Sequence, residues 1–467
     1  MTPPTTAEQT LALYDRALEL YRDNPRATAW LHRQLARFSE PLRLAVAGAA
    51  GVGRSTLVNA LAGDEVAPLE VGGRQVPVSY RGGTEPRALA HGAGPLPAER
   101  AGRRLRVDTT GLPAEQVERI EVDWPSRSLR DLVVLDTPPL PADVTPRAAQ
   151  GMLTDADAVV YLVRRPADAD LAPLRALHTH TLGGGLPVHT LVALARADEL
   201  GAGRVDALIS ARQIARRRRR EPSLSELGQD VLPVAGLLAA AGRTLTEPEH
   251  AALVALARVD RPTLEAQLLS ADRFTRAESP LPLDAGARAH LLGRFGLFGL
   301  RLATTLVRRG AATQPALAAE LVQRSGLGEL REAISLHFIE REDVLKARAA
   351  LLGLDVVLRG EPVPGAELLA VELEAVLAGA HELRELRLLS ALRTGRSTLP
   401  ETLREEAVRL AGGDGADPVA RLGEDWPAQA QEALWRWRSL AENPVLDAAA
   451  RQDAAVLART CEGLFAQ

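Results

Sequence analysis

The stretch Leu42-Arg43-Leu44-Ala45-Val46-Ala47-Gly48-Ala49-Ala50-Gly51-Val52-Gly53-Arg54-Ser55-Thr56-Leu57-Val58-Asn59-Ala60-Leu61-Ala62-Gly63 changes its rhythm twice. LRLAVAG is a short apolar run, the signal of a buried strand, and it enters a glycine-rich turn. STLVNALAG then has helical spacing and a terminal glycine. Strand, loop and helix in this order place Gly48 to Ser55 where a GxxxxGK[ST] phosphate loop belongs, with Arg54 at the lysine position. Glycines let successive amides turn toward a phosphate, and the helix start adds its positive dipole end. Gly48, Gly51, Gly53, Arg54, Ser55 and Thr56 are therefore candidate nucleotide-binding residues, and the Ser55 hydroxyl is a candidate ligand for Mg. The bland alternative is a glycine-rich strand-to-helix turn with no ligand.

Upstream, Leu11, Tyr14, Leu18 and Tyr21, then Leu31, Leu35 and Phe38, recur at spacings of three and four. They predict helix over 7–40, interrupted near Asn24-Pro25. Downstream, buried-strand candidates follow at Val117–Val122, Leu132–Leu135, Ala158–Val163, His189–Leu194 and Val231–Val234, with helical segments between several of them. Apolar strands alternating with helices predict a doubly wound, mostly parallel sheet. Residues 81–116, rich in Gly, Pro and Arg, read as an irregular excursion. After about Thr244 strand signals stop and the chain reads as an all-α helical bundle. Leu369, Leu373, Val376, Ala380 and Leu383 there line one predicted helix face. Breaks are expected near Pro280–Gly286, Gly310–Pro315, Gly360–Gly365 and Gly412–Pro418. The expected division is N-terminal helices over 1–41 packing with the C-terminal bundle, an α/β domain over 42–242, and the bundle over 243–467.

The 467 residues balance 56 Lys+Arg against 60 Asp+Glu, so no long-range positive field draws the molecule to nucleic acid or anionic lipid. Dispersed arginines and few aromatics add no support for nucleic-acid binding. Lys346 is the single lysine, so the arginine at position 54 could reflect composition alone. One cysteine, Cys461, excludes an internal disulfide and a Cys-based zinc cluster, and fits a reducing cytosol. MTPPTTAEQT lacks an apolar signal core, and no stretch reads as a membrane span.

The sequence resembles the bacterial dynamin-like GTPases, in particular cytosolic members from high-GC actinobacteria. Besides the loop, the resemblance rests on VVLDTPP (Val133 to Pro139), similar to the DTPG switch element, and on LARAD (Leu194 to Asp198), similar to the N/TKxD base-reading motif. VDWPSRSLRDL (Val122 to Leu132) precedes the switch strand. The resemblance implies a P-loop GTPase-type domain on a dynamin-like neck and trunk, with Mg and GTP or GDP as the expected cofactor and nucleotide. It implies that Asp136 holds Mg through water, so that Ser55 and Asp136 form the metal pair and Arg54, Ser55 and Asp136 the catalytic set. Asp198 would read the guanine N1 and N2 groups, with Arg196 able to stack over the base. In that family the N-terminal helix packs onto helices that follow the GTPase domain.

The departures are informative. Arg54 keeps the charge of the lysine, but its planar fork is bulkier and differently aimed. Pro139 stands where the switch glycine would offer an amide to the γ-phosphate, and proline has none. VGGRQVPVSY (Val71 to Tyr80) has no threonine for Mg, Arg74 being the nearest match by position. Ala195 replaces the base motif's asparagine. Val231 to Gly236 is a weak version of the last base-contacting loop. Phosphoryl transfer depends on positioning and charge, so such losses together imply weak or absent catalysis; binding would survive better, and a protein that uses no nucleotide is the equal alternative. The expectation is a cytoplasmic assembly partner in membrane remodelling or division-septum formation. It would act through self-assembly or a second dynamin-like subunit, with peripheral contact at the inner face of the cell membrane and no nucleic acid. The alternatives are an autonomous GTP-hydrolysing enzyme and a P-loop regulatory protein unrelated to membranes.

Four further features have bland readings that outweigh the functional ones. Arg216 to Arg220 reads as a solvated helix end rather than a lipid contact. Phe295-Gly296-Leu297-Phe298-Gly299-Leu300 reads as close helix packing rather than a lipid-touching tip. Trp426, Trp435 and Trp437 are expected to pin the last helices to the bundle. His178, His180 and His189 read as loop or strand-end histidines, since no further ligands accompany them.

Overall fold

A computed structural model describes residues 4–164, 168–178, 188–203 and 207–464. His180 lies outside the described residues. Two helices precede the sheet, α1 (Thr6–Leu20) and α2 (Pro25–Ala36), and the break between them falls where Asn24-Pro25 predicts. Asn24 caps α2 by accepting from the Ala27 amide, and Pro25 occupies the first turn, where no amide is missed.

The strands are β1 (Leu42–Gly48), β2 (Glu70–Val71), β3 (Arg74–Gln75), β4 (Val78–Gly82), β5 (Arg87–His91), β6 (Gly94–Leu96), β7 (Ala98–Ala101), β8 (Arg104–Val107), β9 (Arg119–Trp124), β10 (Leu132–Asp136), β11 (Ala158–Val163), β12 (Thr190–Ala195) and β13 (Val231–Val234). Nine of them form one sheet in the order β13-β12-β11-β1-β10-β4-β9-β5-β6. The half from β13 to β10 is parallel, and β10–β4, β5–β9 and β5–β6 are antiparallel. β11 and β12 are buried along their whole length, as strands covered on both faces must be. β1 lies at the centre, so its C-terminal end opens where strands diverge to β10 on one side and β11 on the other, the usual ligand position of such sheets.

The 81–116 region is not irregular. Its turn-rich composition serves successive hairpins: β5 and β6 extend the main sheet, and β7 pairs with β8 apart from it. Ala88 and Ala90 face the core while Arg87 and Leu89 face out, a two-residue period too short to stand out among glycines and prolines.

The helices within the sheet region are α3 (Arg54–Ala62), α4 (Pro146–Leu153), α5 (Asp168–His178), α6 (Ala207–Arg218), α7 (Pro222–Ser225) and α8 (Gly236–Arg243). Beyond them come α9 (Glu247–Arg258), α10 (Arg261–Gln267), α11 (Ala271–Thr275), α12 (Ala285–Arg308), α13 (Gln314–Gln323), α14 (Leu327–His337), α15 (Glu342–Gly360), α16 (Ala366–Gly379) and α17 (His381–Thr394). The last four are α18 (Glu401–Leu410), α19 (Pro418–Leu422), α20 (Trp426–Ala441) and α21 (Ala448–Leu464). The protein is thus an α/β sheet with a large helical region.

α1 packs on α15 and α16, burying Tyr14, Ala17 and Tyr21 with Leu351, Leu354 and Leu369. The Tyr14 hydroxyl donates to the Ala350 carbonyl at 2.7 Å. Arg37, just after α2, forms a buried ion pair with Asp157 at 2.6 Å, and Asp157 also accepts from the Arg43 amide of β1 at 2.8 Å. The early helices are therefore bolted both to α15 and to the start of the central strands. Leu327, Leu330 and Phe338 of the α14 region share the core of the sheet, so its packing does not stop at α8.

The predicted helix through Leu369, Leu373, Val376, Ala380 and Leu383 is two helices. Ala380 takes φ −57° and ψ 106°, ending α16 and starting α17, while the apolar period runs on undisturbed across the corner. Phe295 and Phe298 are buried in α12, which bends at Gly296 (φ 63°); a Cβ on Gly299 would meet Leu238 of α8 at 3.4 Å, so this segment is helix packing and not a lipid-touching tip. Arg218 and Arg219 of the arginine run pair with Glu221 and Asp230. Of the tryptophans, Trp437 is buried and donates to Glu406 at 3.1 Å, and Trp426 packs against the same cluster. Trp435 instead faces solvent, 64% exposed, on the opposite side of α20, and pins nothing.

Candidate nucleotide-binding site

The loop after β1 is built as its glycines require. Gly48 has φ 149° and a Cβ there would stand 2.7 Å from the Leu162 carbonyl oxygen, so no side chain fits between β1 and β11. Gly53, at φ 107°, is the left-handed residue that turns the chain into α3. Among the described residues the amides of Gly51, Gly53, Arg54 and Ser55 donate to no protein acceptor. Free amides at a helix start form a nest for an anion.

Beneath the loop, Ser55 Oγ donates to Asp136 Oδ2 at 2.8 Å. Asp136 ends β10 and is buried; burial raises its pKa, while the Ser55 bond and the nearby Arg54 charge oppose the rise. A hydroxyl and a buried carboxylate side by side are hard oxygen donors, the set that Mg takes. The residues fit that ion.

Arg54 does not extend along the loop. Its guanidinium is buried, donates to the Thr137 carbonyl and donates to Gln75 Oε1 at 3.0 Å. Burial lowers its pKa and the Asp136 charge partly restores it. Gln75 belongs to β3, so the β2–β3 hairpin reaches across to hold the loop's only cation; Arg74, expected by position at the first switch, is exposed. The segment after β10 is pinned as well. The Thr137 hydroxyl donates to the Val46 carbonyl at 3.1 Å and the Leu140 amide to the Gly48 carbonyl at 3.0 Å, with Pro139 between them offering nothing.

A cavity of about 170 Å³ opens beside the loop, walled by Gly53, Thr56, Leu57, Asp198, Gly236 and Leu237 among others. Asp198 follows β12, and desolvation raises its pKa above the ordinary carboxylate range. A desolvated carboxylate facing a partly apolar slot suits the paired N–H donors of a guanine edge. Arg196 stands differently from the stacking role that its position suggests. It is the one non-glycine residue at positive φ (52°) among the described residues, and its guanidinium donates to the Gly51 carbonyl at 2.6 Å and to Glu199 at 2.8 Å. It thereby staples the segment after β12 to the loop after β1. Gln75, Glu199 and the Gly236–Leu237 wall are contributions that the motif reading missed. Of these, the Gly236 wall alone carries a sequence signal, at the end of the Val231–Gly236 segment.

No family model matches the chain. It is 37% identical to isoniazid-induced protein IniC of Mycobacterium tuberculosis, in strains H37Rv and CDC 1551 alike, across 99% of both chains. The chain belongs to the IniC family. The residues above are thus the candidate site of an IniC-family protein. Among solved structures it is similar to chains of an oligomerised bacterial dynamin pair that senses and tethers membranes. One is 13% identical with a TM-score of 0.35, covering 98% of this chain and 73% of that one. Another is 12% identical with a TM-score of 0.29, covering 99% and 74%.

Proposed function

We propose that this IniC-family chain is a dynamin-like, guanine-nucleotide-binding protein of weak catalytic power that works as an assembly partner in membrane remodelling or septum formation. The observation that supports it best is the convergence of three elements at one sheet edge: the free amides of the phosphate loop, the Ser55–Asp136 pair and the Asp198 cavity. In this reading Gly48, Gly51, Gly53 and Thr56 shape and line the phosphate and ribose side, Ser55 and Asp136 hold Mg, and Asp198 accepts from the base. Bound Mg would neutralise charge on the β and γ phosphates. Arg196 fixes the distance between the base segment and the loop.

Weak turnover follows from where the chain's own groups stand. Arg54 is committed to Thr137 and Gln75, Pro139 has no amide to give, and no threonine stands on the β2–β3 hairpin. The three positions that normally meet the γ-phosphate are thus withdrawn, whereas the binding groups are intact, which favours binding over hydrolysis. The dynamin-like part of the reading rests on the sequence motifs and on α1 packing against α15 and α16, helices that follow the sheet region. Calorimetric titration with GTP, GDP and ATP in the presence of Mg tests it. Binding of guanine nucleotides with slow phosphate release, and assembly with itself or a dynamin-like partner on liposomes, is the expected result. The absence of nucleotide binding, or a strictly monomeric protein that touches neither partner nor membrane, would overturn it. Rapid phosphate release lost in both Ser55→Ala and Asp136→Ala would favour the autonomous enzyme.

A further inference from the structure

A second cavity, about 120 Å³, lies on the far side of the sheet from the loop, in the seam between the α4–β11–β12 face and α15. Its walls include Leu153, Val159 and Leu177 from the sheet side and Arg348, Leu352 and Asp355 from α15, with His189 entering from the start of β12. Arg348 is only partly accessible and makes no hydrogen bond or ion pair among the described residues. Its guanidinium has five donors that no described residue engages and that water reaches in part, so they are available to an anion entering the seam. The one carboxylate on the wall, Asp355, is engaged by Arg359 at 2.8 Å. The stretch 179–187 that links the two histidines contains no Asp or Glu, so it supplies no counter-charge.

The surroundings sharpen the need. The His178 and His189 rings meet edge to face with centroids 5.4 Å apart, and buried His189 Nδ1 has no partner. Burial lowers Arg348 to about 10, and the neighbouring charge of Arg387 pushes the same way. Burial and then the Arg348 charge hold both histidines below their ordinary range. Among the described residues lining this pocket, Arg348 and the occupied Asp355 are the charged side chains, and His189 can donate an N–H to an acceptor.

We infer that the seam cavity is a binding site for a phosphate-type oxyanion, held by the Arg348 fork and by an imidazole N–H of His189, which bridges the sheet to α15. A tetrahedral anion supplies charged acceptors that Arg348 does not find among the described residues, and guanidinium matches phosphate in a two-bond geometry. Because α15 also receives α1 and α2, an anion here fastens the sheet to the helices that both chain ends build. The site is separate from the phosphate loop and does not depend on the function proposed above.

The test uses the full chain with its histidine rings isotopically labelled and followed by NMR, with inorganic phosphate titrated against chloride at matched ionic strength. His178→Gln and His189→Gln assign the two relevant signals, which makes the readout blind to phosphate on the Gly48–Ser55 loop. Both signals are expected to move with phosphate in the wild type. In Arg348→Met the affinity is expected to fall about tenfold or more, the worth of one charge-assisted contact. Arg348→Met without phosphate is expected to melt no lower than the wild type, since it removes an uncompensated charge. Monomeric short-chain phosphatidic acid is the second arm: signals that move with it and not with phosphate assign a lipid headgroup as the source. Signals that move with neither probe, or that move equally in Arg348→Met, overturn the proposal.

Discussion

Arg54 Nη2 donates to Gln75 Oε1 at 3.0 Å, so the cation of the Gly48–Ser55 loop is held by the β2–β3 hairpin. A nucleotide that needs Arg54 must break this bond, and the protein without nucleotide is biased toward the withdrawn arginine. Gln75→Ala removes the competitor while leaving the Thr137 carbonyl contact. One neutral-to-charged bond is worth about 1.5 kcal/mol, so affinity for GTP with Mg is expected to rise about tenfold in calorimetry. Unchanged affinity would mean that Arg54 does not contact the phosphates at all.

The two carboxylates of the site are separable by experiment. If Asp198 accepts from guanine as proposed, Asp198→Asn puts a mismatched amide there and is expected to erase the preference for GTP over ATP by about a hundredfold while leaving phosphate contacts intact. Asp136→Asn is expected to do the opposite: base preference persists and the dependence on Mg is lost. Titrations of each variant with GTP and ATP, with and without Mg, give the four comparisons. Loss of both properties together in either variant would show that the cavity and the loop are one cooperative unit.

Much of this arrangement is visible in the sequence, and the rest is hidden for identifiable reasons. β11 and β13 lie where their apolar runs predict, because a strand buried on both faces announces itself by composition. The Gly48–Ser55 loop is legible because only glycines meet its backbone angles. The hairpins at 81–116 are hidden because strands of three to five residues, such as Gly94–Leu96, carry too little pattern. The corner at Ala380 is hidden because core-facing leucines continue on both sides of it. Gln75 on Arg54 and His189 beside Arg348 are contacts between distant residues of ordinary type. No local pattern encodes them, and only the folded chain brings them together.

The buried histidines predict acid sensitivity. Burial holds His178 at about 4 and His337 at about 3, with the Arg348 and Arg393 charges respectively adding to the effect. A histidine whose pKa is lowered on folding takes up its proton first in the unfolded chain. Stability is therefore whole above the unfolded pKa near 6.5 and declines as pH falls below it. Each contributes a loss of about 1 kcal/mol between pH 7 and pH 5.5. Thermal melts at the two values should show a drop that shrinks in His337→Gln relative to the wild type. An equal drop in both would assign the sensitivity elsewhere.

Glu385 tests the opposite sign. It is buried on α17 and bonded to Arg421 at 2.7 Å and to the Thr460 hydroxyl at 2.6 Å, joining α17, α19 and α21. Burial alone would raise its pKa, but the His381 bond together with the charge and bonds of Arg421 outweigh it and hold the carboxyl well below the usual range. Its contribution is therefore present above the unfolded value near 4.3 and is lost as pH falls below it. Glu385→Gln leaves Arg421 buried against an uncharged amide, a change expected to cost about 3 kcal/mol at neutral pH. In chemical denaturation the cost should be largest at pH 7 and shrink toward pH 3, where the unfolded chain has taken up the proton and part of the wild-type carboxylate's advantage is gone. A cost independent of pH would mean that Glu385 acts by shape and hydrogen bonding and not by charge, and that the Arg421 guanidinium is balanced by another group.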